Sequence, residues 1–170
     1  MQLDLDLAET GCLEGVGGGP PCATWSRSRF HSGGPRPLRH RGLYEWGLPN
    51  LSCHEQRRLV EANVLMVNFL HLCKMVSDQG GFYFHEHPAD PVQHPMPSIR
   101  EARFCQDVDS STGAVRAVFD QCMFGAETTN PTAVLYHRGG FCLLRERCNH
   151  PRRQWKMPDG TVHHGRHPRL

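Results

Sequence analysis

Cys22 sits in the run Gly19-Pro20-Pro21-Cys22-Ala23-Thr24-Trp25-Ser26, just after a segment that reads as a strand from Cys12 to Val16. Two prolines stiffen the backbone ahead of the thiol, and ligands in open α/β sheets gather outside the carboxyl ends of strands. The arginines that follow would favour thiolate over thiol, the reactive form of a cysteine nucleophile. A second group, Glu86, stands in His85-Glu86-His87-Pro88 at the end of the apolar run Phe82-Tyr83-Phe84. Adjacent strands ending in Cys22 and Glu86 would set a nucleophile and a carboxyl on one rim, as a two-residue covalent mechanism requires. The structural alternatives are a core cysteine, a strand-end carboxylate paired with arginine, and a solvated arginine face.

The elements that must position these groups are legible in outline. Ser52 and Glu55 form a capping box ahead of Leu59, Val60, Leu65, Phe69, Leu72, Cys73 and Val76, and Gly80-Gly81 stops the pattern. A helix from about Cys53 to Gln79 follows, roughly 40 Å long, with apolar content wide enough to be mostly buried. Phe82 to Glu86 reads as a short buried strand, ended by Pro88. Ser98 and Glu101 repeat the capping pattern for a short helix, and Ala114–Asp120 and Thr132–Tyr136 read as two more strands. Strand, loop, helix and strand in that order predict an α/β sheet with parallel strands. Residues 1–148 are read as one domain, and the His-, Arg- and Pro-rich tail 149–170 as poorly ordered.

Between Gly15 and Tyr44 the chain has no acidic residue but carries Arg27, Arg29, Arg36, Arg39 and Arg41 in a long segment rich in glycine and proline. A loop of that length in a compact domain is functional or disordered. All but Lys74 and Lys156 of the 19 basic residues are arginine, a bias suited to bidentate recognition of phosphate or carboxylate. With 17 acidic residues the formal charge is only +2, which excludes both a histone-like polycation and an acidic solvating chain. The 38% hydrophobic content is lean but enough for a modest core in 170 residues.

The stretch from Leu59 to Val76 is interrupted by Glu61, Asn63, Asn68, His71 and Lys74, which argues against a membrane span, and the acidic start lacks the pattern of a secretory signal. The 8 cysteines include no C-x-x-C pair and read as reduced thiols of an intracellular protein, nuclear or cytoplasmic. Cys142, Cys148, His150 and either His163 or His164 offer the soft and imidazole donors of a structural zinc site. That set supports a competing reading, a zinc-stabilised nucleic-acid-binding module without catalysis.

Gly19-Pro20-Pro21-Cys22 with Thr24-Trp25-Ser26 resembles the G-P-P-C-Q-x-x-S nucleophile loop of DNA cytosine-5 methyltransferases, and the Glu86 segment is similar to that family's E-N-V or E-N-P motif. Gly34-Pro35-Arg36-Pro37-Leu38-Arg39, Trp46-Gly47-Leu48, Asp120 to Ala126 and Asn130-Pro131-Thr132 resemble pieces of a divergent branch of the family. The resemblance runs from about Cys12 to Cys148. It implies a partial Rossmann-like methyltransferase sheet, S-adenosylmethionine as methyl donor, and DNA as partner. Cys22 would attack carbon 6 of a cytosine turned out of the helix, and Glu86 would hold its ring nitrogen 3 and exocyclic amine. Ser26, Arg27, Arg29, Arg36 and Arg39 would contact phosphates. The chain departs from the family in lacking the F-x-G-x-G donor loop and Q-x-R-x-R, in Ala23 for glutamine, and in His87-Pro88 for Asn-Val. The resemblance therefore implies activity that is weak or absent in this chain alone, with the donor site completed by a second chain or a missing N-terminal segment.

Overall fold

The computed structural model describes residues 2–138, 140–141, 144–156 and 160–167, with side chains from residue 5 onward. Helix α1 (Gln2–Glu9) precedes strand β1 (Gly15–Gly18), and the long helix α2 (Cys53–Asp78) leads into β2 (Phe82–Pro88). Helix α3 (Arg103–Thr112), strand β3 (Val115–Asp120) and strand β4 (Pro131–His137) follow, then a hairpin of β5 (Arg153–Lys156) and β6 (Val162–Gly165). The chain is mixed α/β, built on a four-stranded sheet of order β1-β2-β4-β3.

The α/β sheet with parallel strands that the sequence predicts forms in part, as a mixed sheet. β1 and β2 are parallel, Gly15 opposite Phe82 and Gly18 opposite His85, whereas β4 runs antiparallel to both β2 and β3. The reason lies in the connections. The helical connections β1-α2-β2 and β2-α3-β3 leave β1, β2 and β3 running the same way, as crossovers do. β3 turns back into β4 through a short 3-10 turn at Gln121–Phe124, ended by Gly125 in the left-handed conformation.

β1 starts three residues later than expected and runs on through Gly17 and Gly18. The register explains why. A side chain at Gly15 or Gly17 would stand 2.4 or 2.0 Å from the rings of Phe82 or Phe84. Strand residues two apart share a face, so the empty positions of β1 lie beneath the aromatic positions of β2.

The Ser52 capping box forms as read: Ser52 Oγ accepts from the Glu55 N–H at 3.3 Å, and Glu55 Oε2 accepts from the Ser52 N–H at 2.8 Å. α2 is less buried than its composition predicted. Leu59, Ala62, Met66, Leu70, Cys73 and Val76 face inward, while Val60 and Val64 are about half exposed, because sheet and α3 cover one side only. By length and composition α2 is long and apolar enough to cross a membrane, yet its inner stripe belongs to the core. Trp25, Met66, Leu70, Ile99, Ala102, Cys105 and Val108 form that core on the helical face of the sheet. The opposite face carries Ala117, Val134 and Tyr136 with Phe84, Phe119 and Phe141 against them.

Ser98 caps only a 3-10 turn at Ile99–Glu101, and the helix resumes as α3 after Ala102. β2 includes Pro88, paired with Thr132, as its final residue. Beyond Cys148, where the sequence predicted poor order, β5 and β6 pair, and Trp155 Nε1–H donates to the Gly165 carbonyl at 3.1 Å.

Candidate active site

β1 ends at Gly18 opposite His85, while β2 runs on to Pro88, so the Pro-Pro-Cys loop leaves β1 alongside the last residues of β2. Gly19 continues the spacing of Gly15 and Gly17 and falls beside Glu86. A Cβ there would stand 2.6 Å from Glu86 Oε2, so the carboxylate lies directly against the loop backbone. Three residues on, Cys22 is half-buried, as is Glu86, and the two lie within electrostatic reach of each other. Partial burial, and then the Glu86 charge, push the Cys22 thiol up. This corrects the expectation that nearby arginines favour the thiolate. Partial burial also raises the Glu86 carboxyl, opposed by the Arg100 charge. Among the described residues no donor engages the Glu86 carboxylate, so its oxygens are available to a ligand.

The arginines of the loop are largely occupied. Arg39 is fully buried: its guanidinium donates to Thr24 Oγ1 at 2.6 Å, to the Glu45 carbonyl at 2.9 Å and to Asn63 Oδ1 at 3.0 Å. It also stacks 3.9 Å from the centre of the Trp25 ring. Burial lowers its pKa to about 9. Arg29 is buried as well, with Nε–H on the Ala23 carbonyl at 2.7 Å and an Nη1–H on the Arg36 carbonyl at 2.8 Å. These two side chains tie the loop to itself and to α2, their guanidinium groups donating to protein oxygens. Arg36 is half exposed and donates to the Asn50 carbonyl at 2.8 Å beside Glu55. Arg41 bridges Asp90 and Glu101 and donates to the Met96 carbonyl. Arg27 is exposed and without a partner among the described residues, and Ser26 caps the 3-10 turn at Arg27–Phe30 through the Ser28 N–H.

A cleft of about 860 Å³ opens beside this rim, between Ser26–Ser28, the end of β2, residues 128–131 and the tail. Arg27, His31, His163, Arg166 and His167 line it, and none of its lining residues is acidic. Cys22 and Glu86 stand next to the cleft and outside its lining. Trp25 and His87, buried side chains of the same wall, leave indole Nε1 and both imidazole nitrogens without protein partners. His85 is unpartnered in the same way, and its ring packs 5.8 Å from that of His87. Burial, reinforced by the Arg100 charge, lowers the pKa of His85 far below the ordinary imidazole value and that of His87 to about 3.

A third constellation lies where β3 ends. Cys122, Cys148, His150 and His167 place one sulfur or nitrogen atom each within 4.8 Å of the others. The sequence named Cys148 and His150 together with Cys142 and His163 or His164. Cys142 lies outside the described residues. His163 turns toward the cleft and His164 is exposed, both on β6. Cys122 and His167 were missed because their approach depends on how residues 121–167 fold back, which no local spacing records.

No protein-family model matches this chain, and no curated protein matches it as a relative.

Proposed function

We propose that this chain carries the base-activating half of a DNA cytosine-5 methyltransferase-like site on a partial Rossmann-like sheet. The supporting observation is that Cys22, in the loop after β1, and Glu86, near the end of the parallel neighbour β2, lie within electrostatic reach, with the carboxylate against Gly19. In this reading a cytosine turned out of the duplex enters between them. A sulfur–carbon 6 bond forms as the carbon 5–carbon 6 double bond opens. The thiol proton passes to Glu86, and Glu86 delivers a proton to ring nitrogen 3, leaving a neutral adduct whose carbon 5 is nucleophilic. The elevated proton affinities of both groups suit this transfer, since neither holds its charge firmly before the base arrives.

The acid-free cleft would hold the flanking strand through Arg27 and Arg166, with Trp25 and His87 supplying unpaired nitrogens at its wall. S-adenosylmethionine, the donor such chemistry uses, finds no cradle in the described residues: the openings left by Gly15 and Gly17 are filled by phenylalanine rings. A donor pocket would come from a second chain or a further segment added at β1, whose outer edge pairs with no strand among the described residues. The 7 described cysteines are free, in keeping with a reducing compartment where DNA is met, nuclear or cytoplasmic.

DNA containing 5-azacytosine tests the addition step without a donor, because attack on that ring yields a stable adduct. The full chain is expected to give a covalent complex that survives a denaturing gel. Cys22→Ser should abolish it, and Glu86→Gln should slow it by at least about tenfold. The cleft also favours a second reading, a nucleic-acid-binding module without catalysis. Retarded DNA with no adduct from folded protein would select that reading and overturn the first.

A further inference from the structure

We propose that Cys122, Cys148, His150 and His167 form a closed zinc site that clamps the tail of the chain onto the end of β3. The geometry is that of a ligand shell. Zinc–sulfur bonds of about 2.3 Å and zinc–nitrogen bonds of about 2.0 Å set tetrahedral sulfur–nitrogen edges near 3.5 Å. Cys148 Sγ lies 3.6 Å from His150 Nδ1 and 3.2 Å from His167 Nε2. All four donor atoms fall within 4.8 Å of one another, and the His150 and His167 rings stand nearly perpendicular, 82° apart.

Contacts behind the donors orient them. His167 Nδ1 lies 2.9 Å from the Glu127 carbonyl; as a donor there it leaves the Nε2 lone pair facing the cluster. The Cys148 N–H donates to Asp120 Oδ2 at 2.7 Å, and Arg147 pairs with the same carboxylate at 3.3 Å. Arg166 donates to the Cys148 carbonyl, joining the two ends of the tail. Two thiolates and two imidazoles select zinc over magnesium or calcium and cancel its charge, and four protein ligands leave no open position, the pattern of a structural ion.

The tail has need of such a clamp. An isolated two-stranded hairpin is marginal in water, and β5–β6 packs extensively on no other helix or strand of the described chain. The ion would also set one wall of the cleft, since His163, Arg166 and His167 belong to both the tail and the cleft lining. This inference stands apart from the Cys22 chemistry and can hold or fail independently of it.

The test uses the full chain, purified under reducing conditions in the presence of zinc. Elemental analysis is expected to return about one zinc per chain. Cobalt(II) added to the stripped protein should give the intense visible bands of a tetrahedral site with thiolate-to-cobalt charge transfer. Cys148→Ala and His167→Ala should each weaken binding by more than about a hundredfold, exceeding the usual cost of losing an outer contact. His163→Ala and His164→Ala should leave it unchanged. Amide exchange in β5 and β6 should speed up on stripping while α2 and β2 stay protected. Metal-free protein, a pale octahedral cobalt spectrum, or binding lost on His163→Ala and kept on His167→Ala would each overturn the proposal. The wild-type cobalt spectrum reports thiolate ligation even should a variant fail to fold.

Discussion

Two cysteines of this chain stand in opposite company. Cys22 has partial burial and a carboxylate beside it, and both hold its proton on. Cys148 has two imidazoles; burial works against its thiolate, but hydrogen bonds with His150 and His167 win and bring the thiol down to about 6. The Cys22 thiol is suited to act only when a partner relieves the pair of its proton, whereas the Cys148 thiol is suited to hold a cation permanently. The supporting structure differs in the same sense. The loop of Cys22 is secured by buried guanidinium groups that spend their donors on carbonyls. The tail carrying His150 and His167 has only a small hairpin and a few polar ties.

The broadest way to break that contrast is selective protection. Zinc at a hundred times its dissociation constant should slow alkylation of Cys148 and Cys122 by about a hundredfold and leave Cys22 unaffected, read by peptide mass spectrometry. Equal protection of Cys22 would erase the distinction between the two sites. Next in size is the cost of loosening the Cys22 loop. Arg39→Leu strands Thr24, Asn63 and the Glu45 carbonyl in the interior and should cost about 2–4 kcal/mol in denaturant unfolding. Arg36→Ala, half exposed, should cost less than about 1 kcal/mol.

The buried histidines sharpen the contrast by their pH dependence. His87 is neutral in the fold, with a pKa of about 3, whereas the unfolded chain titrates near the ordinary imidazole value. The unfolded state therefore binds the extra proton below that value. Each such histidine removes about 1.4 kcal/mol of stability per pH unit as pH falls from about 6.5 towards 3. Replacing His87 by Gln should make this acid limb shallower by one proton, measured by unfolding at a series of pH values. An unchanged slope would show His87 already paired or hydrated. The smallest effect is expected at the rim: Glu86→Gln removes a charge that opposes the Cys22 thiolate, so alkylation of Cys22 at pH 8 should rise about two- to fivefold. A fall would place the carboxylate elsewhere.

Much of the frame was legible because its signals are local. The Ser52–Glu55 box, the apolar periodicity of α2 and the aromatic run of β2 are decided by neighbours three or four residues away. The first strand was placed too early, at Cys12–Val16, since the fit of Gly15 and Gly17 is visible only opposite Phe82 and Phe84 in the parallel register. The phosphate contacts expected of the arginines came with the methyltransferase resemblance, which carries residue types and not their burial. Which guanidinium is buried depends on the path of the loop, and Arg39 and Arg29 lie inside it.

The amino-acid sequence by itself determined which groups this protein has to work with: a thiol behind two prolines, a carboxyl at a strand end, and a tail stocked with histidine and arginine. It also determined α2 and β2, because caps and periodicity are short-range effects. Only the tertiary structure decided that β4 inserts between β2 and β3, that Glu86 lies against Gly19, and that Cys122 meets His167. Those pairings join residues distant along the chain, and their stability comes from burial and mutual fit across the fold, which exist only once it has closed.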